Sequence, residues 1–165
     1  MTPNFIAFLA MLAHSEGTDR AADPYRVCYG FKHTTIDLAF HPAEPRPPDG
    51  AIEWRGEPLD SLGALYLHKH STAAGRYQIN LPTYLDNKRE LTLGGFDGAA
   101  QNDMAINLIR KCGALNDIVT GNILSAIGEC HGRWASLPGG AANQPHRTPQ
   151  YLTDFYSASG GVMAA

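Results

Sequence analysis

Prolines constrain the fold of this chain more than any other residue type. Six of them fall between Asp23 and Leu59. Because each proline lacks a backbone N–H and fixes φ, this segment cannot form long helices. Its aromatic and β-branched residues, in the stretches YRVCYGF and AIEWRGE, favour short strands that pair with each other. We therefore predict a small β-containing lobe over about residues 23–60.

Helix signals stand on both sides of this lobe. Thr2 followed by Pro3 is typical of an N-cap and a first helical residue, so residues 2–15 are predicted to be a helix. After the lobe, four stretches predict further helices. They are GRYQINLPTYLDNKREL, interrupted at Pro82; FDGAAQNDMAINLIRKCGAL, capped by Asp97; NILSAIGECHGRWASL, ended by Pro138; and TPQYLTDFYSAS, begun by Thr148 and ended by Gly160 and Gly161.

The order of these elements predicts an α+β protein. An N-terminal helix, the small β lobe and a mainly helical lobe would together form a single domain over residues 1–165. A cleft between two lobes is a common place for a substrate, and we expect the functional residues there. Three widely spaced cysteines (Cys28, Cys112 and Cys130) are expected to be reduced thiols, with a disulfide between two of them left open.

Charge and hydropathy argue against two classes of partner. The net charge is −3, and no run of Lys or Arg stands out. A nucleic-acid binder needs a basic face, so we expect no nucleic acid. The apolar run near the N-terminus is too short to span a bilayer and lacks the basic start of an export signal. We therefore expect no stable membrane insertion.

Glu16 is the first candidate functional residue. It follows eight consecutive apolar residues, Ile6 to Ala13, and precedes Gly17, where the chain turns toward the β lobe. A glutamate at a helix end is usually a solvated surface residue. A carboxyl group partly withdrawn from water at such a junction would instead have a raised pKa and could donate a proton near neutral pH. The residues alone leave both interpretations open.

A second candidate region is the stretch STAAGRYQIN. Its small residues permit close approach of a ligand or of another segment. Ser71, Thr72, Tyr77 and Gln78 offer hydroxyl and amide groups suited to sugar or peptide recognition. The alternative is a glycine-containing turn before a helix, with Tyr77 packed in the core.

Metal and nucleophile motifs are missing from the sequence. His68 and His70 could bind a metal, but the helical zinc motif with two histidines four residues apart does not occur. No G-x-S-x-G turn is present for a serine hydrolase. We expect no metal and no cofactor.

Three motifs, FLAMLAHSEGTD, HSTAAGRYQI and WASLPG, resemble in order and spacing those of the lambda-type phage endolysins. The stretch FDGAAQNDMAINLIRKCGAL resembles a helix of the same family, and the likeness runs from about Phe5 to about Gln144. It implies a lysozyme-like fold that acts on the glycan strands of peptidoglycan as a lytic transglycosylase. Such an enzyme cleaves the β-1,4 bond from N-acetylmuramic acid to N-acetylglucosamine and leaves a 1,6-anhydro end without consuming water.

The resemblance also implies site residues. Glu16 would be the catalytic acid, and the expected substrate contacts are Ser71, Thr72, Tyr77, Gln78 and Gln144. His14 stands where the family commonly has an aromatic residue, and Ala142 stands where an aromatic contact to sugar is expected.

Two alternatives accompany the transglycosylase hypothesis. A hydrolytic muramidase on the same fold would need a second carboxylate, for which Asp19, Asp23 and Asp37 are the candidates. A non-catalytic glycan-binding protein is the other. In either enzymatic case we expect a monomer made in the host cytoplasm. It would reach the wall from the periplasm only after a separate holin-type protein has permeabilised the membrane.

Overall fold

The computed structural model describes residues 1–140 and 147–164 and divides the chain into two compact units. One unit comprises Met1–Arg20 and Ala105–Ala165, and the other comprises Ala21–Met104. The predicted single domain with a lobe at about 23–60 stays a prediction. The six α-helices of the described residues are α1 (Pro3–Glu16), α2 (Leu81–Leu91), α3 (Gly98–Cys112), α4 (Leu115–Thr120), α5 (Ile123–Cys130) and α6 (Pro149–Ala158).

Helix α1 is the buried centre of the first unit. Thr2 caps it by accepting from the backbone N–H of Phe5 at 3.3 Å, and Pro3 stands in the first turn. Gly17, with φ at +77°, ends it by donating to the carbonyls of Ala13 and His14. These ends confirm the predicted helix to within one or two residues. Helix α6 packs against α1, and the caps predicted for α6 at Thr148 are also confirmed.

The segment after α5 corrects a prediction. The helix was expected to continue to Pro138, but it ends at Cys130. Arg133 and Trp134 both donate their backbone N–H groups to the Cys130 carbonyl, and Leu137 donates to the Trp134 carbonyl. Gly132 has low helix propensity, so successive turns replace the helix here. Trp134, Ser136 and Leu137 are buried in these turns.

The second unit contains the β structure, but with other pairings than predicted. The only sheet among the described residues joins β1 (Glu57–Pro58) antiparallel to β2 (His70–Ser71), with Glu57 opposite Ser71. The expected pairing of YRVCYGF with AIEWRGE was wrong. Val27 bridges to Thr34, and Cys28 bridges to Ala74, because the small side chains around Ala74 let these backbones approach. Short 3₁₀ helices occupy Pro24–Arg26, Asp60–Leu62 and Ala64–Tyr66.

Residues 74–79 form a tight turn and not the predicted start of a helix. Ala74 and Ile79 exchange both backbone hydrogen bonds, at 3.1 and 2.9 Å. Gly75 and Gln78 have φ values of +75° and +48°, which an α-helix does not accept. Helix α2 begins only at Leu81, capped by Asn80, so Pro82 lies in its first turn and interrupts nothing.

Helix α3 begins as predicted, since the Asp97 carboxylate accepts from the backbone N–H of Ala100 at 2.8 Å. It ends at Cys112, and Gly113, with φ at +88°, separates it from α4, a helix that the sequence did not predict. The three cysteines are free, as expected. In the part of the chain that the structure describes, no helix is both long and apolar enough to cross a membrane.

Candidate active site

Glu16 is the last residue of α1 and lies at the edge of the buried face of this helix. Its neighbours His14 and Ser15 are buried, whereas Glu16 itself is partly exposed. The burial raises the pKa of the Glu16 carboxyl to about 7, and a hydrogen bond from Ser136 offsets part of this rise. Glu16 is therefore a carboxyl group that holds a proton near neutral pH, the state that a general acid requires.

Ser136 is the hydrogen-bond partner of Glu16. Its Oγ lies 2.7 Å from Oε1 of Glu16, although 120 residues separate the two in sequence. The turns after α5 bring Ser136 to this position. Ser136 was not predicted as a site residue, but it belongs to the motif WASLPG, which would have been the signal for it.

Ser15 contacts the same hydroxyl from the other side. Its Oγ lies 2.9 Å from the Ser136 Oγ and 2.8 Å from the Leu12 carbonyl oxygen. Both serines are nearly inaccessible, with 4% of Ser15 and 8% of Ser136 exposed. The carboxyl group of Glu16 thus ends a short buried row of polar atoms.

His14 fills the place of an aromatic residue. Its ring stacks on Phe155 of α6 with 3.7 Å between ring centroids, and on Tyr151 with 4.9 Å. Nδ1 of His14 lies 2.6 Å from Oδ2 of Asp19. The imidazole is therefore held on three sides, and the departure from the family pattern preserves a stacked ring beside the Glu16 turn.

The candidate second carboxylates all have other partners. Asp19 pairs with His14. Asp23 caps the 3₁₀ helix Pro24–Arg26 and forms an ion pair with Arg26 at 3.1 Å. Asp37 accepts from the backbone N–H of Ala39 at 2.8 Å. Each has a local structural role, so the structure provides no support for any of them as the partner of Glu16.

The predicted substrate contacts from Ser71 to Gln78 belong to the second unit. Ser71 Oγ accepts from the backbone N–H of Ala73 at 3.3 Å, and Thr72 Oγ1 accepts from that of Leu81 at 3.0 Å. Both residues are half-buried. Their hydroxyl groups therefore order the 71–81 segment, and their contact with substrate stays a prediction.

Tyr77 and Gln78 are held more tightly. Tyr77 is 1% exposed, and its hydroxyl donates to Oδ1 of Asn102 at 2.7 Å. This burial favours the alternative interpretation, in which Tyr77 supports the turn from the core. Gln78 Nε2 donates to the carbonyls of Gly75 and Val27 at 3.0 and 3.3 Å.

Gln101 is a supporting residue that the sequence did not indicate. It is fully buried, and its Nε2 donates to the carbonyls of Tyr25 and Phe96 at 2.9 and 2.7 Å. Its Oε1 accepts from the backbone N–H of Arg76 at 2.8 Å. A Cβ atom at Gly75 would lie 2.1 Å from this oxygen, so the predicted close approach at Gly75 is to Gln101.

Two further predictions concern other positions. Gln144 and Ala142 lie outside the described residues. His68 and His70 are exposed, and the described part of the chain contains no group of three metal-binding side chains.

Known proteins match this chain over almost its whole length. The endolysin family model matches residues 6–163. The endolysin of Escherichia phage P2 is 34% identical over 171 residues, which cover 98% of this chain and 95% of that protein. The endolysin of Escherichia phage lambda is 33% identical over 162 residues, covering 94% of this chain and 91% of that protein.

Solved structures agree with the sequence matches. The bacteriophage lambda lysozyme complexed with a chitohexasaccharide has a TM-score of 0.80 at 30% identity, covering 99% of this chain and 97% of that chain. A second structure, of the lysozyme from bacteriophage lambda, has a TM-score of 0.78 with the same identity and coverage. These matches confirm the predicted lysozyme-like α+β fold. With a family model over nearly the full chain and relatives above 30% identity, this protein belongs to the endolysin family.

Proposed function

We propose that this endolysin degrades bacterial peptidoglycan as a lytic transglycosylase with Glu16 as its acid and base. One observation carries the proposal: the Glu16 carboxyl is withdrawn from water, with a pKa of about 7, and its one hydrogen-bond partner among the described side chains is the Ser136 hydroxyl. A carboxyl group with such a pKa exchanges a proton readily in both directions near neutral pH.

In the first step, protonated Glu16 donates to the glycosidic oxygen that leaves with N-acetylglucosamine. The bond from C1 of N-acetylmuramic acid to this oxygen breaks, and positive charge develops at C1. The N-acetyl group of the muramic sugar stabilises this charge. Glu16 is left as a carboxylate that accepts a hydrogen bond from Ser136.

In the second step, the C6 hydroxyl of the same muramic sugar attacks C1. The Glu16 carboxylate takes the hydroxyl proton, which restores the starting acid. The atoms balance without water, and the product carries a 1,6-anhydro ring. Because the nucleophile is part of the substrate, its effective molarity is high and no second carboxylate is needed to activate it.

The expected substrate is a glycan strand. The lambda lysozyme to which this chain is similar was solved with a chitohexasaccharide bound, which supports a β-1,4-linked glycan as the ligand of this protein as well. The pairing of Asp19 with His14 supports a single-acid mechanism over hydrolysis by two carboxylates.

The proposed setting is the lysis of a host cell. The protein would act as a monomer on the periplasmic wall once a separate holin-type protein has opened the membrane. Co-expression with and without a holin tests this part. Lysis that depends on the holin supports it, and equal lysis without a holin contradicts it.

Release of soluble muropeptides from purified peptidoglycan tests the enzymatic proposal. Wild-type protein should release fragments whose muramic ends resist borohydride reduction, and Glu16→Gln should release almost none. The matched control is Glu129→Gln, the same change at an exposed glutamate of the same unit, which should retain full activity. Activity retained in Glu16→Gln, or fragments with reducible muramic ends, would contradict the proposal.

A further inference from the structure

Three short oxygen–oxygen distances lie in a row behind Glu16. Glu16 Oε1 is 2.7 Å from Ser136 Oγ, Ser136 Oγ is 2.9 Å from Ser15 Oγ, and Ser15 Oγ is 2.8 Å from the carbonyl oxygen of Leu12. Each distance is that of a hydrogen bond between oxygen atoms. Both serines are nearly inaccessible to solvent, so their hydroxyl protons are shared within this row.

The protons for these three contacts can be counted. Each serine hydroxyl carries one proton, and the Leu12 carbonyl carries none, so the serines alone fill only two of the three contacts. The third proton comes from Glu16 when it is protonated. The Glu16 hydroxyl then donates to Ser136, Ser136 donates to Ser15, and Ser15 donates to Leu12. The protonated acid is the state in which every contact is a hydrogen bond.

The row has a second arrangement when Oε1 carries no proton. Ser15 then donates to Ser136, and Ser136 donates to Oε1. The Leu12 carbonyl loses its serine donor but lies in the middle of α1, where the backbone N–H of residue 16 is its regular helical partner. This arrangement serves a proton placed on Oε2, which receives no hydrogen bond from the described residues, and it also serves the carboxylate.

We propose that Ser136 and Ser15 form a reversible hydroxyl relay that makes Ser136 the positioning residue of the acid. The relay points away from Glu16 while the resting acid keeps its proton on Oε1. The two serines donate toward Glu16 in two states. In the first, the acid carries its proton on Oε2, and in the second, the proton has moved to the leaving oxygen. The bond from Ser136 to the carboxylate is then charge-assisted, so the relay favours release of the proton. This inference rests on the proposed function of Glu16.

Other titratable groups lie near this end of α1. They are His14 and Asp19 beside Glu16 in the chain, Tyr151 of α6, which stacks on His14, and Arg147, whose backbone N–H donates to the Ser136 carbonyl at 3.3 Å. Among the described residues, the only side chain that forms a hydrogen bond with Glu16 is Ser136. The relay therefore predicts that changes at the two serines, and not at these groups, control the titration of Glu16.

The test is an NMR titration of the Glu16 side-chain carboxyl carbon in ¹³C-labelled protein without substrate. Ser136→Ala should raise the pKa of Glu16 by about one unit, since a hydrogen bond to the charged form is lost. Ser15→Ala should raise it by about half a unit, because Ser15 acts through Ser136. In the Ser136→Ala background, Ser15→Ala should add nothing.

Two variants control for structural disturbance. Ser136→Thr keeps the hydroxyl and should return the pKa close to the wild-type value. Thr153→Val removes another buried hydroxyl of the same unit, one that donates to the Gln150 carbonyl at 3.1 Å, and should leave the titration of Glu16 unchanged. If Ser136→Ala does not fold, the rise in Ser15→Ala carries the test.

Two results would overturn the relay: an unchanged or lowered pKa of Glu16 in Ser136→Ala or Ser15→Ala, or additive shifts in the double variant. Failure of the proposed function has a different signature. In that case the wild-type protein releases no muropeptides or releases fragments with reducible muramic ends, or Glu16→Gln stays active, whatever the titration shows. If the wild-type protein is active but the pKa of Glu16 is unchanged in both serine variants, only the relay is contradicted.

Discussion

Two glutamates of this molecule, Glu16 and Glu53, are both withdrawn from water, but their pKa values are shifted in opposite directions. In the described part of the chain Glu16 has one hydroxyl donor, Ser136, and burial raises the pKa of Glu16 to about 7. The Glu53 side chain is 8% exposed, and its burial also raises the pKa. Four hydrogen bonds outweigh that effect and hold the pKa of Glu53 below its usual value. The donors to Glu53 are Ile36 N–H at 2.8 Å, Thr35 Oγ1 at 3.0 Å, His33 Nε2 at 3.1 Å and Arg46 Nη2.

The difference shows that the number of donors, and not burial alone, decides what a buried carboxyl group can do. The four donors to Glu53 stabilise its ionised form. Through Arg46, Glu53 also anchors the proline-rich stretch HPAEPRPPDG to the rest of its unit. The one donor to Glu16 among the described residues does not stabilise the carboxylate enough to offset its burial, so Glu16 holds a proton that it can donate. Glu53 therefore has a structural role, and Glu16 is suited to proton transfer.

The largest effect is expected from Glu16→Gln. Glutamine keeps the size and polarity of the side chain but has no proton to donate, so the rate of muropeptide release should fall by about 10³-fold or more. The thermal unfolding temperature at neutral pH should not decrease. A fall of less than about tenfold would mean that Glu16 is not the acid. The two glutamates would then not differ in catalytic role.

Glu53→Gln should act on stability instead. The amide cannot satisfy the four donors that now surround the carboxylate, and we expect a loss of about 2 kcal/mol in the free energy of unfolding. For a chain of this size that corresponds to a decrease of about 6 °C in the unfolding temperature, measurable by circular dichroism. Activity per folded molecule should be unchanged. If Glu53→Gln lost activity while its unfolding temperature stayed unchanged, Glu53 would have a catalytic and not a structural role.

The pH dependence of stability should differ between the two glutamates. Because the pKa of Glu16 is raised in the folded state, its contribution to stability is complete below its usual pKa and is lost as the pH rises through about 7. Glu16→Gln should therefore gain about 2 kcal/mol over the wild type between pH 5 and pH 8, by denaturant unfolding.

Glu53 should show the opposite sign. Because its folded-state pKa is lowered, its contribution is complete above its usual pKa and is lost only as the pH falls through the lowered value. The wild type should thus lose its advantage over Glu53→Gln in acid alone. If both variants differed from the wild type by a constant amount at all pH values, the two carboxyl groups would not differ as described.

Substitutions in the second unit should have smaller effects on turnover. Gln78→Ala removes the donor to the Gly75 and Val27 carbonyls and should reduce muropeptide release by about tenfold, with Ser71→Ala below that. Steady-state rates on soluble muropeptide chains measure both. A complete loss from either change would mean that the catalytic role lies in this segment and not at Glu16.

Asp19→Asn should have the smallest effect. The amide oxygen can still accept from His14, and a pair with one exposed partner is worth little, so activity should remain within about threefold of the wild type. A loss as large as that of Glu16→Gln would identify Asp19 as a second carboxylate and favour the hydrolytic mechanism.

The sequence predicted the starts of α1, α3 and α6 and the end of α1 because these ends are set locally. Thr2, Asp97 and Thr148 each cap the helix that follows within three residues, and Gly17 ends α1 at Glu16. The position of Glu16 at a buried helix end could therefore be predicted, whereas the residues alone left open whether its pKa is raised. These signals depend only on neighbouring residues and on the periodicity of apolar positions.

The parts that were missed depend on contacts between distant residues. Ser136 meets Glu16 because α5 ends at Cys130, seven residues before the predicted last residue Leu137, and no periodic pattern marks the turns that follow. The donors to Glu53 come from loops, where side-chain hydrogen bonds replace the strand pairing that was predicted. Gln101 lies in a helix that reads as amphipathic, and only the left-handed Gly75 beside it shows why a buried glutamine is there.

Digestion of peptidoglycan in ¹⁸O-labelled water tests the single-acid mechanism most directly. Mass spectrometry of the released muropeptides should show muramic ends that are lighter than the hydrolysed form by one water and that contain no ¹⁸O, because the attacking oxygen is the C6 hydroxyl of the substrate. Muramic ends that carry ¹⁸O and a reducible C1 would show that water attacks. The protein would then be a hydrolase, and Glu16 would need a partner carboxylate.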